Sequence, residues 1–308
     1  MYKLKRLMVG LDMSEIDEDL IRYSFFISNV IQQVETIFFV HIENQEDSVP
    51  EIQELYPEIQ LNSTAEFITN KIKDLVDKYN IMDRQVEVFV RVVQGDPLTK
   101  ILHLSKVHQI DMIVTGRKNI LEGSGLLAVK IARRALCSVL CIPEKSKNEI
   151  TKIFIPIDFS DFSHLAMEYA LSFAKDNPTL EIVCQHIYKL PKGYLTSGKS
   201  QEEFAEIMLE NAKKNYANFI EHYDLSKTKV SIRYSLDAKN VATKMTYNNA
   251  LVEQADFIML ASRGRTNAAA TLLGSFAEKL LTENANLPML VIKSKQQNLD
   301  MISALLKL

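Results

Sequence analysis

Two glycines, an aspartate and a pair of arginines are the residues of this sequence best suited to chemistry. Ala261-Ser262-Arg263-Gly264-Arg265 is followed, with nine residues between Gly264 and Gly274, by Gly274-Ser275-Phe276-Ala277-Glu278. Glycines let main chain approach a ligand closely. Ser275 and Glu278 have capping-box spacing, which predicts a helix N-terminus at Ser275. The free N–H groups of such a terminus attract an anion, and Arg263 and Arg265 add positive charge. Upstream, Asp158 closes the apolar run Ile153-Phe154-Ile155-Pro156-Ile157. A carboxylate there suits a base amino group or a ribose hydroxyl, and the glycine loop suits phosphates, so together they have the chemistry of a nucleotide site. An Asp at a strand end also caps the turn that follows it, and both roles stay open for Asp158. Ser275 as a helix cap is compatible with Ser275 as a phosphate ligand.

The elements that must position these groups come in two sets. Asp12 closes Leu7–Leu11 as Asp158 closes Ile153–Ile157, 146 residues on, and in both cases one residue and then a Ser follows. His41 and His186 stand 145 apart in apolar runs, as do Asp111-Met112-Ile113-Val114-Thr115-Gly116 and Asp256-Phe257-Ile258-Met259-Leu260-Ala261. Landmarks in one order at one spacing mark a duplicated domain. In the first copy strands are expected near Leu7–Leu11, Thr36–Ile42, Glu87–Val93, Met112–Thr115 and Ser138–Ile142. In the second they fall near Ile153–Ile157, Leu180–Tyr188, Lys229–Leu236, Phe257–Leu260 and Met289–Ile292. They are short and apolar on both sides of the pleat, as buried parallel strands are. Between them Ile16, Leu20, Tyr23 and Ile27 form one apolar helix face, matched by Phe162, Ala166, Tyr169 and Phe173.

This alternation predicts an α/β protein of two tandem doubly wound parallel five-stranded sheets, Rossmann-like, with strand order 3-2-1-4-5. In that order strands one and four are neighbours, so Asp158 and the glycine loop flank one cleft. The expected domains are 1–146 and 147–308, divided in the polar run Glu144–Glu149, with a weakly amphipathic tail from Ser294 to Leu308 whose role stays open.

These residues carry a resemblance, over nearly the whole chain, to the universal stress protein family in its tandem-domain form. The family's loop motif is Gly-x2-Gly-x9-Gly-Ser/Thr. Here it reads Ala261-x2-Gly264-x9-Gly274-Ser275, with the same spacing and one Gly→Ala departure. The resemblance implies that Asp158 is the adenine-side aspartate, and that the main chain of Ile187, after the strand-two His186, contacts the base in ATP-binding members. Phe276 stands where a smaller residue is usual. The first copy departs further: after Gly116-Arg117-Lys118 comes Asn119 in place of the second glycine, the loop to Gly125 is four residues shorter, and Leu126 replaces the Ser. Asp12 remains. The resemblance therefore implies that the second domain binds ATP or another adenine nucleotide, with Mg²⁺ at the phosphates as an option. The first is either empty or binds a ligand through Gly123-Ser124-Gly125. It also implies pairing of the two domains through their fifth strands, Val139–Ile142 and Leu290–Ile292, as an internal pseudo-dimer, with a homodimer of whole chains open.

Other features narrow the function. Gly193-Tyr194-Leu195-Thr196-Ser197-Gly198-Lys199-Ser200 has the Walker A form, but Lys189 to Lys192 separate it from its strand and no apolar strand ending in Asp follows to hold Mg²⁺. A polar loop at the lip of the cleft is the simpler reading. No nucleophile elbow, dinucleotide fingerprint or Cys–His nucleophile appears, so no catalytic residue is assigned and slow ATP hydrolysis is the most expected. His41 and His186, inside apolar strands, read as core histidines. His103 and His108 are five apart on one helix with no carboxylate or Cys beside them, a poor metal spacing, and no metal site is assigned. Cys137 and Cys141, roughly 13 Å apart along a strand, are beyond disulfide reach. A chain of 308 residues with net charge −3 has room for two cores and lacks the basic footprint of a nucleic-acid binder. No apolar run is long enough for a membrane span, and the stretch after the basic Met1–Arg6 ends at Asp12, too short for a signal peptide. The cytoplasm is the expected location.

The sequence is thus read as that of a cytoplasmic stress-response protein. Its second domain binds nucleotide through Asp158, Ile187, Ala261, Gly264, Gly274, Ser275 and Phe276, and bound nucleotide biases a surface read by unidentified protein partners. Two alternatives remain: a protein-interaction module of the same fold with both clefts closed, and a P-loop ATPase using Gly193–Ser200.

Overall fold

The computed structural model describes residues 4–43, 61–81, 84–117, 125–175, 177–191, 198, 200–264, 273–284 and 286–294. Two compact units separate, one reaching Asn148 and taking in Lys293 and Ser294, the other spanning Glu149–Ile292.

In the first unit the elements are β1 (Arg6–Leu11), α1 (Ile16–Val30), β2 (Thr36–Glu43), α2 (Leu61–Tyr79), β3 (Glu87–Gln94), α3 (Pro97–Val107), β4 (Met112–Arg117), α4 (Gly125–Arg134) and β5 (Ser138–Pro143). The strands run parallel in the order β3-β2-β1-β4-β5. The second unit repeats the series as β6 (Lys152–Ile157), α5 (Asp161–Ala174), β7 (Glu181–Tyr188), α6 (Gln201–Ile220), β8 (Lys229–Leu236), α7 (Ala242–Val252), β9 (Phe257–Ala261), α8 (Ser275–Glu283) and β10 (Met289–Ile292). Its strands are parallel in the order β8-β7-β6-β9-β10. Each unit is a doubly wound α/β sheet.

The central strands are buried on both faces, which is why they read as continuous apolar runs: Leu7, Met8 and Val9 in β1 and Ile153, Phe154 and Ile155 in β6 have no exposed surface. The apolar stripe of α1 lies against the sheet, with Ile16, Leu20, Tyr23 and Ile27 all buried. In α5, Ala166, Tyr169 and Phe173 are buried while Phe162 is only half-buried.

Three devices recur in both units and fix the first strand. At its start, the carboxylate of Asp111 accepts from the amides of Lys5 and Arg6, and that of Asp256 accepts from the amides of Thr151 and Lys152. At its end, the ring of His41 bonds through Nδ1 to the Leu11 carbonyl at 3.1 Å, and His186 bonds the Ile157 carbonyl at 3.0 Å. Just beyond, Met13 and Phe159 are left-handed at φ 64° and 62°, giving both units the same Asp-x-Ser turn. The histidines are thus pinned to the main chain of the neighbouring strand. All three cysteines are buried and none is in a disulfide, and burial pushes the thiols of Cys141 and Cys184 up to about 12.

Of the Walker-like segment, Gly193–Ser197 and Lys199 lie outside the described residues. Ser200 is committed elsewhere: its Oγ accepts from the Glu203 amide at 3.2 Å, and its own amide donates to the Glu203 carboxylate at 2.7 Å, a complete capping box at the start of α6.

Candidate functional site

At the carboxyl ends of β6, β7 and β9 the second unit holds a cavity of about 370 Å³. Open α/β sheets bind ligands at this position, and the volume suits a small molecule. Asp158, Ile187, Ala261, Gly264, Gly274, Ser275 and Phe276 all line it.

Asp158 caps the turn after β6 and also lines the cavity. Its Oδ1 accepts from the Ser160 amide at 3.1 Å, the Ser160 hydroxyl at 2.6 Å and the Ser163 hydroxyl at 2.8 Å, which makes the turn. The Ser163 hydroxyl accepts in turn from the Asp158 amide at 2.9 Å. Oδ2 faces the loop after β9: a Cβ built on Gly264 would lie 2.5 Å from it. Gly264 is therefore required for the space it leaves to a carboxylate, and its conformation does not need a glycine.

Gly274 is also a close-approach glycine. Its amide donates to the Ser262 carbonyl at 2.7 Å, and a Cβ there would come within 3.3 Å of that oxygen and 3.7 Å of Arg263 Cα. This contact corrects the expected helix start. The N-cap of α8 is Gly274 and not Ser275: Gly274 is extended (φ −74°, ψ 153°), its carbonyl accepts from the Glu278 amide at 3.0 Å, and no side chain caps the helix. The loop has already captured the Gly274 amide, and the helix begins one residue earlier than a capping box on Ser275 would have it. Ser275, Phe276 and Ala277 form the first turn, whose amides have no partner within the helix, and all three residues line the cavity.

Ala261 is the last residue of β9, paired with Ile292, and its backbone is not left-handed. The Gly→Ala departure from the loop motif is therefore without strain. Phe276 is half-buried at the cavity wall and leaves the cavity in place. The Arg263 guanidinium lies over the ring of Phe162 at 5.9 Å, and Arg265 lies outside the described residues.

Three lining residues escaped the sequence reading. Ser163 braces Asp158, as described. Lys189 is half-exposed, donates to Asn240 Oδ1 at 2.9 Å and sits 3.3 Å from the buried Asp237 carboxylate. Burial pushes Asp237 up, but the Val241 amide and Lys189 outweigh it and hold the group below the usual carboxylate range. Gln185 is buried at 1% exposure inside a strand. The signal for Gln185 was legible: an amide stands where the first copy has Val40.

The first unit arranges the same turn differently. Asp12 Oδ1 accepts from the Ser14 amide at 3.2 Å. Where the second unit has Ser163, the first has the buried Asp17, whose carboxylate accepts from the amides of Asp12 at 3.1 Å and Met13 at 2.7 Å. A second carboxylate beside Asp12 opposes an anionic ligand. Gly116, the counterpart of Ala261, serves packing, since a Cβ there would meet Ile16 Cδ1 at 2.8 Å. Lys118, Asn119 and the Gly123–Ser124 part of the shortened loop lie outside the described residues. Among the described residues no group of three or more His, Cys, Asp or Glu could hold a metal ion, and no helix is long and apolar enough to cross a membrane.

The fold and the crevice define a doubly wound α/β protein with a cavity at the switch point between β6 and β9. Residues 149–293 match the family model of the universal stress protein family. The universal stress protein MJ0577 of Methanocaldococcus jannaschii is 26% identical over 156 residues, 47% of this chain and 95% of that protein. MJ0531 of the same organism is 27% identical over 159 residues, 51% of this chain and 89% of that protein. A universal stress protein of Archaeoglobus fulgidus superposes with a TM-score of 0.62 at 18% identity, over 94% of this chain and 97% of its own. Residues 149–293 form a universal stress protein domain, and the chain's 308 residues, about twice the size of one such domain, are consistent with the tandem form.

Proposed function

We propose that the second unit binds an adenine nucleotide, ATP foremost, and that the bound nucleotide acts as a regulatory signal within a stress response. One observation carries this reading: a cavity is walled on one side by the Asp158 carboxylate and on the other by the first turn of α8, with glycines where a Cβ would collide (Gly264) or crowd (Gly274). The helix N-terminus suits phosphates, the carboxylate suits a ribose hydroxyl or base amino group, and a divalent ion would ride on the phosphates. Asp158, Ile187, Ala261, Gly264, Gly274, Ser275 and Phe276 are the residues assigned to the nucleotide. The partner that reads the bound state would be a protein recognising the surface around the cavity mouth.

The test is calorimetric titration of ATP with Mg²⁺ into protein stripped of co-purified nucleotide, beside Gly274→Trp and Asp158→Ala. Saturable binding near one site per chain, lost in both variants, supports the proposal. Absence of binding to the wild type refutes it and leaves the interaction module as the working reading.

A further inference from the structure

The Gln185 side chain is a polar group of the cavity with one end bonded and the other not. It is 1% exposed and lines the cavity. Its Nε2 donates to the Ser235 hydroxyl at 3.3 Å, and the Asn249 amide donates to the same oxygen at 3.2 Å. Gln185 Oε1 is buried and accepts no hydrogen bond. A carbonyl oxygen kept from water without a donor is costly, and Ser235 Oγ holds the Nε2 end of the amide.

The other copy shows that the fold does not require this arrangement. In β2, Val40 pairs with Gly10 as Gln185 pairs with Pro156. In β3, Val93 pairs with Ile42 as Ser235 pairs with Ile187. In α3, Leu104 is the eighth residue, as Asn249 is of α7. The first unit thus has Val, Val and Leu where the second has Gln, Ser and Asn. All three positions are polar together in the second unit, where the cavity described above lies.

The site's geometry says which part of a ligand the amide meets. The phosphate-suited turn follows β9, and Gln185 lies on β7, with β6 between them. Two strand spacings, about 10 Å, separate the two ends and leave room for a sugar. The far end of a nucleotide is its base.

We propose that Gln185, held by Ser235 and Asn249, is the base-reading residue of this cavity, with its Oε1 accepting a hydrogen bond from the exocyclic amino group of a 6-aminopurine. The proposal rests on the nucleotide reading above. A site built around a buried acceptor rejects a ligand that lacks the matching donor. Ser235 and Asn249 are positioning residues: they fix which way the amide faces and do not touch the base.

The experiment compares the affinities of ATP and purine riboside triphosphate, which lacks only the 6-amino group, for nucleotide-stripped whole chain. Wild type is expected to prefer ATP by about tenfold or more. Gln185→Val, which installs the first copy's residue, should still bind ATP but with a preference within about twofold. Ser235→Ala, which releases the amide to turn, should lower the preference while leaving binding of the deaminated analogue unchanged. Equal affinities in wild type, or a preference that survives Gln185→Val, would overturn the inference and leave the nucleotide reading intact. Failure of both nucleotides to bind wild type would overturn the nucleotide reading and this inference with it.

Discussion

Gly264→Ala tests whether the carboxylate and the glycine loop form one unit. A Cβ at position 264 would sit 2.5 Å from Asp158 Oδ2, against an ordinary contact of 3.4 Å or more. Something must therefore move by about 0.9 Å, the difference of those distances. If the carboxylate swings, its other oxygen is dragged from three donors at 2.6 to 3.1 Å, two of them on Ser160 and one on Ser163. Hydrogen bonds to a charged group contribute about 1.5–3 kcal/mol each, and a partial loss across the set gives an expected destabilisation of about 1–3 kcal/mol. In an Asp158→Ala background the obstructing atom is gone, and the same glycine substitution should cost less than about 0.5 kcal/mol. The assay is a double-mutant cycle by urea unfolding of the whole chain, with hydrogen exchange of residues 153–163 as a local readout. An equal cost of Gly264→Ala in both backgrounds would refute the reasoning, because the glycine would then be serving its own backbone and not the carboxylate.

Three further outcomes are expected. Ala261→Gly restores the family's loop motif but, because Ala261 is an unstrained strand residue, it should lower stability by about 0.5–1 kcal/mol and leave nucleotide affinity within about twofold, read by denaturation and titration. The native protein should show almost no reaction with a thiol reagent at pH 8 until unfolded, since all three cysteines are buried and two thiols are pushed up to about 12. Burial holds His41 and His164 below their ordinary value of 6.5. Their folded states resist protonation that the unfolded chain accepts, so this stability is fully present above pH 6.5 and declines as pH falls below it. Melting temperatures between pH 7.5 and 5.5 should show that decline, and His41→Asn should flatten it.

The architecture was legible because both periodicities are strong and each is written twice. Strands buried on both faces leave continuous apolar runs, and Ile16, Leu20, Tyr23 and Ile27 mark a helix face that the second copy repeats. The cavity-lining positions of Asp158, Ala261, Gly264, Gly274 and Ser275 were legible because a loop motif and a strand-end carboxylate are local signals, while Ile187 came only from the family resemblance. Errors and omissions came where a residue's role depends on a distant partner. Ser275 carries a genuine capping pattern, yet the Ser262 carbonyl takes the Gly274 amide and starts the helix on the glycine. Gly116 fits the loop motif, but packing against Ile16 explains it. Lys189 gains meaning only beside Asp237, 48 residues away. Ser163 does so only once the turn folds back on Asp158.

The duplication works as an internal control on which residues make a site. Both units keep the Asp-x-Ser turn, the left-handed middle residue and the strand-two histidine bonded to the last carbonyl of strand one. These features build the fold, and none of them alone predicts a ligand. What separates the units is a short set of exchanges at the crevice: Ser163 for Asp17 removes a buried negative charge, and half-buried Phe162 replaces the Ile16 that packs on Gly116. Gln185, Ser235 and Asn249 place polar groups where the first unit has Val40, Val93 and Leu104. The Ser163 exchange removes negative charge, and those at Gln185, Ser235 and Asn249 add hydrogen-bonding groups. A common scaffold with a divergent crevice is how one fold can serve different ends in its two copies.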